Sequence, residues 1–435
     1  MRIKKIVASL FSLGMVASPL ANATNGYFPI GYGAQNEGMG GASIALPMDS
    51  LAAANNPAGM VMVGDRVDVG LTFFKPNRSA EISGNTLPGP TAPAPYTTPG
   101  TTMNGTYDGN GKSMFYIPSF GYNKMINSDT SLGVSVFGNG GMNTQYDTNP
   151  FASLGGQGPA GINLEQLFIA PTWSQKINAN NSVGVSLNLA YQMFSATGLQ
   201  PFEGMSQTPT AVTNNGTDTS TGYGLRFGWT GQVTPMVTLG ATYQTKTKMS
   251  KFSKYSGLFA DQGSFDIPSN YGLGAAVKAT SQTTVAFDVV RINYSGVGSV
   301  GNAFTSLPPA FGGTGLQLGA TGGPGFGWQD MTVVKLGVSY DVDSTLTVRA
   351  GYNHNNQQIP SNQTLLNIMA PGVVQNHLSL GSTWKLANKQ EVTFAYIHAF
   401  KQTVTGVGVI PAALGGGNAS ISMSEDSLSL SYGWY

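Results

Sequence analysis

The chain has 435 residues, no cysteine, and charged side chains at only 9% of positions, with 21 Lys and Arg against 20 Asp and Glu. Soluble domains carry about 25% charged residues, so this is not an ordinary soluble surface, and the near-zero net charge gives no electrostatic grip on nucleic acid. The missing cysteines exclude a disulfide framework and a thiolate metal site, and no metal or cofactor is expected.

Residues 1–23 read as a cleavable export signal. Arg2, Lys4 and Lys5 form the basic end, residues 6–16 the apolar middle, and Ala21-Asn22-Ala23 the cleavage site. Cleavage would leave 412 residues (435 minus 23), with 18 Lys and Arg against 20 Asp and Glu. Residues 24–64 follow as a compact Gly-rich segment with Gly26-Tyr27-Phe28, Gly38-Met39-Gly40-Gly41, a short helix-capable stretch at 50–54, and Asn55-Asn56-Pro57-Ala58-Gly59.

From residue 65 to residue 435 the pattern is that of strands. Val67, Val69, Leu71 and Phe73 alternate with Asp68, Gly70 and Thr72. The same period of two returns at Val183–Tyr191, at Tyr223–Trp229 and at Leu346–Tyr352. Short connections fall at 127–129, 178–181, 234–235, 280–282, 341–344 and 388–389. Long ones lie near 83–111, 148–163, 198–220, 254–264, 297–327, 358–374 and 405–419. Six short turns among seven long loops predict an all-β, antiparallel barrel of about 14 strands, both ends on the short-turn side. A closed barrel satisfies its backbone in lipid without helices, which places an exported chain in the outer membrane of a Gram-negative bacterium, assembled by the barrel-assembly machinery and surrounded by outer-membrane lipid. A soluble β-sandwich would explain the alternation but not the scarce charge or the unequal turns. The final strand alternates Leu428, Leu430, Tyr432 and Trp434 and closes on Tyr435. Such a lumen is too wide for wall side chains to fill, so residues 24–64 are expected to form a plug within it, with a periplasmic tail as the alternative.

Several short patterns, taken in order, resemble the FadL/TodX family of outer-membrane long-chain fatty-acid and hydrocarbon transporters. They are Asn56-Pro57-Ala58, Val136-Phe137-Gly138-Asn139-Gly140-Gly141-Met142 in the third strand, Ile169-Ala170-Pro171-Thr172 in the fourth and Leu239-Gly240-Ala241-Thr242-Tyr243 in the seventh. Trp328-Gln329-Asp330, the strand from Leu336 to Tyr340, and Arg349-Ala350-Gly351-Tyr352 complete the series. The resemblance implies passive uptake of hydrophobic molecules, long-chain fatty acids first and hydrocarbons second, by a monomer whose N-terminal hatch includes Tyr27, Phe28, Asn56, Pro57 and Ala58. It also implies release through a lateral gap in the wall.

Gly138, Asn139, Gly140 and Gly141 are the candidate gap, since glycines weaken a strand and leave room beside it; a plain β-bulge is the bland alternative. Phe151, Leu154, Leu199, Phe202 and Met205, with Pro201, Phe304, Leu307, Phe311 and Leu316, are candidates for an entrance groove, or for a cap whose members pack on one another. Arg226, Lys335 and Arg349 fall on the lumen side of their strands. They are candidates to grip a carboxylate, or to hold hatch and wall in place. An enzyme reading lacks a catalytic constellation: His354, His377 and His398 are scattered, and His377 reads as a hydrogen-bonded wall residue. A general porin or a surface adhesin and receptor remain as alternatives.

Overall fold

The computed structural model describes residues 25–86, 102–308, 313 and 315–435. The export signal, the middle of the first long loop and Phe311 lie outside the described residues. Sixteen strands join one antiparallel sheet, two of them short spurs at Gly105–Asp108 and Lys248–Met249, leaving fourteen in the wall. In chain order these are β1 (Arg66–Ser83), β2 (Phe115–Met125), β3 (Thr130–Tyr146), β4 (Ala160–Lys176), β5 (Asn181–Thr197), β6 (Asp218–Thr234) and β7 (Val237–Gln244). The second half comprises β8 (Asn270–Lys278), β9 (Thr283–Ile292), β10 (Met331–Asp341), β11 (Leu346–Asn355), β12 (Asn376–Leu386), β13 (Gln390–Gly406) and β14 (Asn418–Trp434).

Each strand pairs with its sequence neighbours, and β14 returns to β1 from Val67 opposite Trp434 to Ser83 opposite Asn418. Closure removes the sheet edges, as a lipid-embedded sheet requires. The parity of the sequence is the parity of the wall. On β11 the side chains of Val348 and Tyr352 face outward, while Thr347, Arg349 and Asn353 are buried on the lumen side. Leu273, Leu336, Leu380 and Leu430 are likewise exposed on the outer face, which suits a hydrocarbon surround rather than water.

All six short connections join the expected strand pairs. Between β12 and β13, Leu386 pairs with Gln390 across a three-residue turn in which Asn388 and Lys389 take positive φ of 62° and 57°. Residues 25–64 lie inside the wall, most of them buried.

Candidate functional site

The luminal segment rests on wall glycines. A Cβ added at Gly381 of β12 would lie 2.9 Å from Gly38 Cα, and one at Gly337 of β10 would lie 2.5 Å from the Met39 carbonyl oxygen. At Gly240 of β7 it would meet the Ile44 carbonyl at 2.5 Å, and at Gly351 of β11 it would collide with the backbone at Gly40. A strand glycine here marks another main chain in direct contact.

Asn56, Pro57 and Ala58 fasten the segment to three strands. Asn56 caps the 3₁₀ helix Pro57–Met62, its Oδ1 accepting from Ala58 N at 3.1 Å, with Pro57 in the first turn where no N–H is needed. Its Nδ2 donates to the carbonyls of Ile44 (2.7 Å) and Trp229 (3.0 Å). The Ala58 carbonyl accepts from Ser174 Oγ on β4 at 3.0 Å and from Ser182 Oγ on β5 at 2.9 Å.

The three candidate cations lie beneath this segment and donate to it. Lys335 Nζ reaches the Ile30 carbonyl at 2.8 Å and that of Gly41 at 3.3 Å. Arg226 Nη1 reaches the Asn55 carbonyl at 3.2 Å, and Arg349 Nη2 reaches Gln35 Oε1 at 3.0 Å. Wall carboxylates take the amides: Asp288 accepts from Ser43 N (2.7 Å) and Ile44 N (3.1 Å), and Asp68 accepts from Ser50 N at 2.9 Å. Within the segment, burial pushes the Glu37 carboxyl up to about 7, against a lowering hydrogen bond from Ser429. Asp49 is also pushed up to about 7, first by burial and then by the charge of Asp68.

Tyr27 and Phe28 sit at the segment's start in an aromatic cradle. The Tyr27 ring lies 5.2 Å from Phe28, 5.3 Å from Tyr294 and 5.8 Å from Trp328, centroid to centroid. Tyr27 N donates to Tyr294 Oη at 3.2 Å.

Beside Tyr27 the wall is interrupted. β2 and β3 pair from Met125–Ser131 only as far as Phe120–Val136, yet β3 continues to Tyr146. Its register against β4 shifts between Gly138 and Gly140, so Asn139 is the bulged residue. Alternation fails here: every residue from Phe137 to Thr144 is buried. Above, Gly111 N donates to the Gln145 carbonyl at 3.0 Å and bounds the interruption. From the lumen side Gly141 N donates to the Tyr27 carbonyl at 3.1 Å, and a Cβ at Gly140 would strike that same carbonyl. A cavity of about 30 Å³ opens here, lined among others by Phe74, Pro76, Arg78, Met142, Trp328 and Met423. It has room for little more than water.

The five entrance candidates are brought together. Phe151, Leu154, Leu199, Phe202 and Met205 are all buried in one cluster above the lumen, with Phe151 and Phe202 edge to face at 5.1 Å. Phe304 and Leu307 join them, while Leu316 is exposed. A cavity of about 10 Å³ lies between Phe151, Leu154, Phe202 and Met205. Among the described residues these loops pack on one another above the lumen.

Sequence reasoning did not find Tyr294, Arg78 or the inward-folded loop after Thr364–Asn367. That loop supplies the Ile368 carbonyl to Tyr146 Oη and the Met369 carbonyl to Thr144 Oγ1, both at 2.8 Å. Of the histidines, His377 is buried on the lumen side, His354 is exposed, and His398 lies 2.9 Å from Asp426. Among the described residues no group of carboxylates and histidines could hold a metal.

The family model for outer membrane protein transport proteins (OMPP1/FadL/TodX) matches residues 31–418. Similar solved structures include the P. putida toluene transporter TodX, 17% identical, with a TM-score of 0.66 over 93% of this chain and 98% of that one. A Pseudomonas aeruginosa FadL homologue is 17% identical with a TM-score of 0.66, over 96% and 99% of the two chains. The Ralstonia pickettii toluene transporter TbuX is 17% identical with a TM-score of 0.63, over 93% and 98%. At this identity the likeness carries the fold alone. No curated protein sequence matches the chain.

Proposed function

Since the chain belongs to the outer membrane protein transport family (OMPP1/FadL/TodX), we propose that it carries hydrophobic small molecules, long-chain fatty acids first, passively across the outer membrane. The single observation that best supports this reading is the interrupted wall at Gly138–Gly141, stoppered from inside by the Tyr27 carbonyl. An apolar chain gains about 0.8 kcal/mol per methylene by avoiding water, so sideways release into lipid suits it better than an aqueous pore.

In this scheme the loops around Phe151 and Phe202 admit the ligand, residues 25–64 act as a hatch, and the interruption is the exit. Cavities of about 10 and 30 Å³ are far too small for a fatty acid, so loops and hatch must move for passage. Arg226, Lys335 and Arg349 hold hatch groups while the hatch is seated and become available to a carboxylate when it lifts. The barrel works as a monomer, without a cofactor, after insertion by the assembly machinery.

A second reading, aromatic hydrocarbons, is favoured by the cradle of Tyr294 and Trp328, in which the Tyr27 ring occupies the place a small aromatic ligand would take. The test is uptake of radiolabelled oleate and of toluene by cells lacking their own hydrophobic transporter, with and without this protein. Protein-dependent oleate entry supports the first reading and toluene entry alone the second. Entry of neither, with free passage of small hydrophilic solutes, would replace both with a porin.

A further inference from the structure

Arg78 on β1 is 1% exposed and stands at the wall interruption. Its Nη1 donates to the Asn143 carbonyl and, at 3.1 Å, to Asn143 Oδ1 on β3. Its Nη2 donates to the carbonyl of Lys112, on the segment leading into β2. The guanidinium thus crosses the place where β3 has lost its strand partner, tying both margins to β1. Pro76, two residues earlier, brings no N–H to this stretch of β1, which lies beyond the last β1–β2 pair, Phe74–Phe115.

Two further observations concern unmet hydrogen bonding. Among the described residues no carboxylate forms an ion pair with Arg78, and its Nε has no hydrogen-bond partner. Glu425 on β14 is 2% exposed, and among the described residues neither of its carboxyl oxygens has a hydrogen-bond partner. The register sets Pro76 opposite Glu425 and Arg78 opposite Met423, so Arg78 and Glu425 share the inward face as diagonal neighbours, roughly 7–8 Å apart at the backbone. An arginine side chain spans that separation by changing rotamer. Buried polar groups are normally satisfied, and an unpaired acid beside a cation whose donors rest on neutral carbonyls describes half of an exchange.

We propose that Arg78 is the bolt of the wall opening and Glu425 the seat to which it withdraws. With the bolt forward, neutral carbonyls on both margins hold the guanidinium and the exit is shut. With it back, the two-pronged pair with Glu425 is charge-assisted, the margins are released, and the ligand chain fills the vacated space. The exchange rests on the lateral-exit reading above and adds its gating element.

The test uses the full-length protein in lipid vesicles, with Met142→Cys as the single thiol in a chain that has no cysteine and a membrane-soluble maleimide as the probe. Arg78→Gln should raise the labelling rate about tenfold, equivalent to ~1.4 kcal/mol of closing free energy. Glu425→Gln should leave labelling without ligand unchanged but cut oleate-stimulated labelling and oleate uptake by a similar factor. A purely structural role predicts no effect of Glu425→Gln, because its carboxyl makes no hydrogen bond among the described residues. Wild-type labelling of Arg78→Gln, or wild-type uptake by Glu425→Gln, overturns the proposal. If Arg78→Gln fails to fold, Arg78→Lys, whose ammonium reaches only one margin, carries the same expectation and the same refutation. Normal uptake in Gly140→Trp would instead remove the lateral exit itself, and the bolt with it. Blocked uptake in Gly140→Trp beside wild-type behaviour of the Arg78 and Glu425 variants would remove the bolt alone.

Discussion

Replacing Asn56 by alanine should loosen the hatch while leaving the wall standing. The side chain caps the 3₁₀ helix Pro57–Met62 through Ala58 N and donates to the carbonyls of Ile44 and Trp229. Losing a cap costs about 1 kcal/mol, and orphaning one buried carbonyl adds about 1–3 kcal/mol. A total of about 2–4 kcal/mol weakens seating by roughly thirtyfold to nearly a thousandfold. The assay is hydrogen exchange of the amides in residues 44–62 in the detergent-solubilised protein, with the strand amides as an internal reference. Faster exchange confined to the hatch is expected. Asn56→Ser, which keeps an acceptor for Ala58 N and loses the amide donors, should fall between alanine and wild type. Unchanged exchange of residues 44–62 in Asn56→Ala would refute the idea that these three hydrogen bonds seat the hatch.

Other expectations follow from the same geometry. Gly140→Trp places a large side chain against the Tyr27 carbonyl and should abolish oleate uptake while the barrel keeps its folded mobility on unheated gels; retained uptake would argue against a lateral exit. Arg226→Ala, Lys335→Ala and Arg349→Ala should each raise hatch exchange and weaken oleate binding more than toluene binding, as measured by calorimetry; equal losses for both ligands would restrict them to structure. For Glu37, raised from 4.5 to about 7 by burial, a lifted hatch ionises first as pH rises. Seating is therefore strongest below about pH 4.5, weakens between 4.5 and 7, and changes little above that. Glu37→Gln should make this window shallower than in wild type in a hatch-protection assay, Asp49, also raised to about 7, supplying the remainder, and weaker seating on acidification would contradict it.

The wall was legible because a strand repeats every two residues and each repeat is visible locally. Val348 and Tyr352 alternate with Arg349 and Asn353 in the chain as they do across the wall. The run Gly138–Gly141 was legible for a related reason, since several glycines close together announce a weak strand. Isolated glycines such as Gly337 and Gly381 say nothing of what lies against them, and the seat of residues 25–64 is made of such positions. The partners of Lys335 and Arg226 were hidden because they are carbonyls, which every residue carries. Tyr294 meets Tyr27 across 267 positions of chain from within a loop, where no periodicity marks it. Arg78 looks in sequence like one more charge on an alternating strand. Its meaning depends on β2 failing to extend as far as β3.

The contact between Gly141 N and the Tyr27 carbonyl has a bearing on the cell's permeability barrier. An outer membrane excludes toxic amphiphiles only if its resident proteins do not leak, and a gap in a barrel wall is a standing risk of leakage. Here the stopper and the frame meet through backbone atoms, so no replacement of the Tyr27 side chain deletes the bond itself. If the gap is the exit proposed above, unstoppering it requires the chain to withdraw as a whole, so that the hole opens only with the event that delivers cargo. On that proposal, substitutions in the loops leave this backbone closure untouched.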